Sequence, residues 1–156
     1  MITDSLDDAG SSQRMLIVAL NNGARTEIPD SRGMYFPRVS PNGRYLAAKS
    51  EDDKTLRLYD FRLKRWNDLA KAKVLTRYDW SAESRYLYFQ DGLDPGATVF
   101  RWDSETGRIE RAFDFSKLLQ GGAISCGFDG FAPDGSYLAN VLSNVSNLEV
   151  LDVALR

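Results

Sequence analysis

The chain has 156 residues, 43% of them apolar and 27% charged, which is ordinary composition for a single folded domain. Twenty lysine and arginine residues stand against 22 aspartate and glutamate residues, and the resulting charge of −2 argues against a dedicated nucleic-acid binder. Histidine is absent, which excludes Ser-His-Asp and Cys-His catalysis and every zinc site that contains histidine.

The first segment, residues 1–14, is acidic and polar, and the sequence predicts a disordered lead-in there. It has no basic stretch followed by an apolar one, so it does not resemble a signal peptide. No run of about 18 apolar residues occurs anywhere in the chain. These patterns favour a cytoplasmic protein by default and leave open the compartment of any longer parent protein.

From residue 15 onward, short apolar runs alternate with turn sequences, a pattern typical of β-strands. Helical character is limited to residues 116–120, which are too few to change the fold class. The sequence therefore predicts an all-β chain. Its predicted strands are 15–20, 24–28, 36–39, 44–49, 55–60, 65–69, 76–80, 85–89, 98–102, 108–113, 125–131, 136–141 and 147–152.

The chain contains an internal repeat. Its three copies are FPRVSPNGRYLAAKS (36–50), YDWSAESRYLYFQD (78–91) and FAPDGSYLANVL (131–142). Ser40, Ser81 and Ala132 occupy the same place in them, and a later strand in each repeat ends in Asp60, Asp103 or Asp152. The spacing is regular except for an insertion at about 115–127. A unit of about 43 residues with four short strands is typical of a β-propeller blade.

The phrases VSPNGRYLA (39–47) and FAPDGSYL (131–138) resemble the TolB-type propeller repeat, which centres on W-S-P-D-G-+-Y-L-A. The middle copy keeps Trp-Ser at 80–81 but has Ala-Glu-Ser at 82–84 instead of the Pro-Asp-Gly turn. Residues 50–60 also resemble a WD repeat, although the histidines of that repeat are missing. The last segments resemble the C-terminal blades of propellers in bacterial winged-helix regulatory proteins. The resemblance covers about residues 15–156 and implies a non-catalytic protein-interaction or sensory module.

The repeat predicts a partial β-propeller of about three four-stranded antiparallel blades. Its parts are a half blade at 15–30, blades at 36–70 and 76–114, and an incomplete blade at 124–153. Since propellers typically have 4–8 blades, three explanations are open: the C-terminal part of a longer propeller, pairing with a second copy, or an open arc. The predicted partner is thus a protein or the missing blades of the same propeller, with a homodimer possible and neither nucleic acid nor membrane contacted.

The motifs of the main catalytic and nucleotide-binding classes are missing, namely GxxxxGK[ST], GxGxxG and GxSxG. The sequence therefore predicts no enzyme, no cofactor and no metal. The acidic stretches 51–53 and 91–96 lack the oxygen spacing of a calcium loop, which favours solvated turns. The repeated aspartates are either a ring of carboxylates or, as we expect, strand-end residues that bond to their own turns.

The insertion at 116–127 is the least blade-like segment, and loops on a rigid scaffold commonly carry recognition. The candidate binding loop consists of Leu118, Leu119, Gly121, Gly122 and Phe128. The alternative interpretation of this segment is an irregular connection between blades. For the whole chain, the alternatives are an accessory propeller of a prolyl-oligopeptidase-type peptidase and a TolB-like envelope protein.

Overall fold

The computed structural model describes residues 2–6, 13–93, 97–132 and 134–143. These residues form one short helix, α1 (Ser116–Gln120), and thirteen strands. The strands are β1 (Ile2–Leu6), β2 (Gln13–Val18), β3 (Arg25–Glu27), β4 (Met34–Val39), β5 (Tyr45–Ser50), β6 (Thr55–Asp60), β7 (Arg65–Lys71), β8 (Leu75–Trp80), β9 (Tyr86–Asp91), β10 (Thr98–Asp103), β11 (Ile109–Asp114), β12 (Ala123–Phe131) and β13 (Tyr137–Ser143).

The strands form four antiparallel sheets, and within each sheet neighbours in sequence are neighbours in space. Sheet A contains β1–β3, sheet B contains β4–β7, sheet C contains β8–β11, and sheet D contains β12 and β13. The predicted all-β class and its four-stranded antiparallel blades are confirmed by this arrangement. The final predicted strand, 147–152, lies outside the described residues.

The hydrophobic core lies between consecutive sheets. One cluster joins sheets A and B around Met15, a second joins sheets B and C around Trp80, and a third joins sheets C and D around Phe128. In the described part of the chain, none of these clusters joins sheet D to sheet A. The sheets therefore form an open arc in which each shields its neighbour's face.

The prediction of a disordered lead-in over residues 1–14 is wrong for the described residues 2–6. These form β1, which pairs antiparallel with β2 from Ile2↔Ile17 to Leu6↔Gln13. The pairing satisfies backbone groups along an edge of β2 that β3 does not use. Ile2 also packs against the A–B core cluster. The mostly polar sequence of residues 2–6 does not predict β1, because this strand is stabilised by its pairing with β2.

The serine before each repeat turn fixes the start of the following strand. Ser40 Oγ accepts a hydrogen bond from Tyr45 N–H at 2.9 Å, and Ser81 Oγ accepts one from Tyr86 N–H at 3.0 Å. The backbone N–H of each serine also donates to the carbonyl of the same tyrosine at 2.9 Å. In sheets B and C, the turn between the first and second strands therefore has the same length, with the tyrosine five residues after the serine.

Candidate functional site

Consecutive sheets are linked by one polar side chain at a repeated position near the end of the second strand. In β5 this residue is Lys49, whose Nζ donates to the carbonyl of Leu75 in sheet C at 3.2 Å. In β9 it is Gln90, whose Oε1 accepts from Phe128 N–H in sheet D at 2.7 Å. Both side chains are buried, so these contacts fix the spacing of neighbouring sheets.

Lys49 is also part of a charged cluster between sheets B and C. Its Nζ lies 2.6 Å from Asp53 Oδ1, and Asp53 also accepts a hydrogen bond from the Tyr35 hydroxyl. Burial works to lower the pKa of Lys49, but its hydrogen bonds to Asp53 and Tyr35 outweigh this and raise it. Burial works to raise the pKa of Asp53, but its hydrogen bonds to Lys49 and Tyr35 outweigh this and lower it. The cluster holds a charged pair and presents no free nucleophile.

The repeated aspartates organise their own turns, as the sequence predicted. Asp60 Oδ1 accepts hydrogen bonds from Arg62 N–H and Leu63 N–H at 2.8 and 3.1 Å. In the next sheet, Asp103 Oδ1 accepts from the N–H groups two and three residues further on, at 2.8 and 3.2 Å. The third member, Asp152, lies outside the described residues. A structural role is therefore confirmed for the first two aspartates.

The predicted binding loop is only partly a surface. Leu118 lies within α1, and Leu119 packs against the C–D core cluster. Gly121 ends the helix, with its N–H donating to the carbonyl of Lys117, and Gly122 follows in the left-handed region at φ 98°. Phe128 is fully buried, so its assignment to a binding surface is wrong. Nothing in the sequence indicates this burial, because Phe128 follows the glycine-rich stretch 121–127, which resembles a loop.

A groove runs between sheets B and C at the end where the chain passes from β7 to β8. It comprises two cavities of about 400 and 240 Å³ that share Asp91 and Phe100. Its apolar side includes the rings of Phe89 and Phe100, stacked with centroids 5.8 Å apart. Lys71 and Lys73 line it, and neither forms an ion pair with another described residue. The groove thus combines an apolar floor with two lysines and the acidic side chain of Asp91.

The second strands of the repeats differ sharply in burial. In β5, Leu46 and Ala48 are fully buried, and in β9 Leu87 is fully buried. Every residue of the equivalent strand β13 is exposed, with Leu138 and Leu142 at 47% and 60%. An apolar strand that is exposed along its length differs from the scattered apolar residues normal on a protein surface.

The residues of β13 divide between two faces. The Tyr137 ring lies 4.2 Å from the Phe113 ring of sheet C, so Tyr137 points toward sheet C, although its side chain is half exposed. Side chains alternate along a strand, and Leu138, Asn140 and Leu142 therefore point away from sheet C. We call these three residues, together with Ser125 opposite Leu142, the outward face of sheet D. None of its four side chains carries a charge.

The described residues contain no group of three His, Cys, Asp or Glu side chains placed to hold a metal ion. Within the same residues, no helix has the length and apolar character needed to cross a membrane. The lone cysteine, Cys126, is buried in the C–D core and is not part of a disulfide. Two surfaces of the described structure that have a distinct chemistry are the B–C groove and the outward face of sheet D.

Known structures show the same architecture at low sequence identity. TolB from Acinetobacter baumannii matches with a TM-score of 0.63 and 15% identity over 93% of this chain and 39% of that one. The propeller domain of the Trilobed protease from Pyrococcus furiosus matches with a TM-score of 0.57 and 21% identity, covering 71% of this chain and 37% of that one. The acylaminoacyl peptidase of Pyrococcus horikoshii matches with a TM-score of 0.52 and 17% identity, covering 66% and 20%.

These neighbours support a TolB-type β-propeller fold for this chain. The chain spans well under half the length of each of the three proteins. No protein-family profile matches the chain, and no curated protein matches it. At such identities the comparison establishes the architecture, and the role of the chain has to be argued from its own surfaces.

Proposed function

We propose that the chain is a non-catalytic propeller module that binds proteins through the outward face of sheet D. The observation that carries the proposal is the exposure of β13, whose counterparts β5 and β9 are covered by neighbouring sheets. The repeat gives β13 the apolar character of a buried strand without a described sheet to cover it. A protein surface is the natural cover for such a face, since burying apolar area drives association.

The simplest partner is a second copy of the chain. The outward face is uncharged and includes two leucines, so two copies can meet through the same patch without placing like charges together. Symmetric pairing through one self-complementary patch is the commonest form of oligomer. Leu138 and Leu142 would lie at the centre of this contact, which is the more apolar part of an interface.

Light scattering coupled to size-exclusion chromatography tests this proposal over a range of protein concentrations. The unaltered chain should form a dimer, and Leu138→Asp and Leu142→Asp should each convert it to a monomer. Leu63→Asp is the matched control, because Leu63 is 55% exposed but lies in a turn of sheet B. A chain that stays monomeric at every concentration, or a control that dissociates equally, would refute the proposal.

We further propose that the module belongs to a bacterial regulatory protein, on the strength of the resemblance of its last segments, FAPDGSYL (131–138) and LEVLDVAL (148–155), to the C-terminal blades of such proteins. The neighbours that are peptidases favour a second context, an accessory propeller beside a hydrolase domain. The genomic sequence on either side of the coding region separates the two. A winged-helix domain upstream supports the regulator, and a hydrolase domain with GxSxG downstream supports the peptidase. If both domains are absent, both contexts are contradicted.

A further inference from the structure

Strand β13 pairs with β12 one residue out of the register that the repeat sets. In sheet B, Val39 lies opposite Leu46, and in sheet C, Trp80 lies opposite Leu87. The equivalent pair in sheet D would be Phe131 and Leu138. Instead, Phe131 lies opposite Tyr137. Because side chains alternate, this one-residue slip turns every side chain of β13 to the other face.

The slip begins at the turn, where sheet D lacks the serine of its counterparts. Ala132 stands where sheets B and C have a serine whose hydroxyl holds the tyrosine N–H five residues later. Its own N–H donates to the carbonyl of Ser136 at 2.9 Å, which is one residue earlier than in the other sheets. Alanine has no oxygen with which to hold the longer step.

The slipped register has its own stabilising contacts. It directs Tyr137 toward sheet C, where its ring lies 4.2 Å from Phe113, 5.5 Å from Phe131 and 5.9 Å from Tyr88. Tyr45 and Tyr86, the counterparts of Tyr137, point instead toward the following sheet. Aromatic contacts of this kind favour the slipped register, and a turn hydrogen bond would favour the other.

We propose that Ala132 selects the docking face: β13 can adopt two registers, and alanine favours the one that turns Leu138 and Leu142 outward. In the repeat register these two leucines would face sheet C, and Tyr137, Ala139 and Val141 would face outward. The two registers thus present different surfaces to a partner. The consequence for binding rests on the function proposed above, whereas the register itself does not.

The buried thiol of Cys126 reports the register directly. Cys126 lies opposite Val141 in the structure and would lie opposite Leu142 after a one-residue shift. Directly opposed residues on antiparallel strands are close enough to form a disulfide. The experiment therefore compares the rates at which full-length Val141→Cys and Leu142→Cys chains lose free thiols under mild oxidation. Val141→Cys should react faster.

Adding Ala132→Ser to each variant should lower the ratio of the two rates by about 2- to 12-fold, the range expected for one hydrogen bond. Ala24→Ser is the control, because it adds a hydroxyl to an exposed residue between β2 and β3, outside sheet D, and it should leave the ratio unchanged. An unchanged ratio with Ala132→Ser, or no cross-link in either chain, would overturn the two-register proposal. In light scattering, Ala132→Ser should weaken the dimer. A dimer that fails to form at all counts against the proposed function and leaves the thiol ratio decisive for the register.

Discussion

The hydrogen bond from Phe128 N–H to Gln90 links sheets C and D, and its loss should have a measurable cost. Both groups are buried, and the N···O distance is 2.7 Å. Gln90→Met keeps the length of the side chain but removes the acceptor, leaving a buried N–H unsatisfied. Such a group costs about 1–3 kcal/mol. Because methionine fills similar space, we expect no added cost from a cavity and a net loss of about 2 kcal/mol.

For a chain of this length, that loss corresponds to a fall in Tm of about 4–8 °C, measured by circular dichroism. Hydrogen exchange gives a local test, since exchange at the Phe128 amide should be about thirtyfold faster in the variant. Gln120→Met serves as the control, because Gln120 is exposed on α1 and its substitution should change stability by less than about 0.5 kcal/mol. Equal melting temperatures for the two variants, with unchanged exchange at Phe128, would show that the bond does not hold the sheets together.

Three further substitutions test other contacts. Phe128→Ala should lower the free energy of unfolding by about 3–5 kcal/mol in urea titrations, because the ring is fully buried. Ser81→Ala should lower it by about 1 kcal/mol through loss of the acceptor for Tyr86 N–H, and a smaller effect than at an exposed serine would contradict the turn's role. The lowered pKa of Asp53 means that its contribution is present above the unfolded pKa of about 3.9 and is lost as pH falls through the folded pKa. Asp53→Asn should therefore reduce the loss of unfolding free energy as pH falls. If this loss is unaltered in the variant, the pair of Asp53 with Lys49 does not cause it.

The fold was readable from the sequence because local cues and the global arrangement agree. Turn sequences such as Pro41-Asn42-Gly43 mark strand ends, and the apolar runs between them match strands buried on both faces. The same reasoning missed β1, since the polarity of residues 2–6 gives no local signal and the strand depends on the edge of β2.

The candidate site was harder to predict because it depends on tertiary packing. Phe128 reads as part of a loop in the sequence, yet it fills the space between sheets C and D. Leu138 lies in the predicted strand 136–141, whose counterparts in sheets B and C are buried, yet it is exposed. In each case the outcome depends on which face of the strand meets a neighbouring sheet, and a single register step reverses that choice.

Two substitutions in the repeat distinguish sheet D from its counterparts. Ala132 replaces the serine that closes the turn, and Val141 occupies the place of Lys49 and Gln90, the side chains that bond to the backbone of the following sheet. Valine cannot make that bond, so neither polar contact that fixes the position of β13's counterparts is available to β13. What remains is apolar character, which is compatible with more than one partner and more than one register. Sheet D is therefore the part of the arc where the repeat preserves hydrophobicity but no longer specifies geometry, which is what an adaptable docking strand requires.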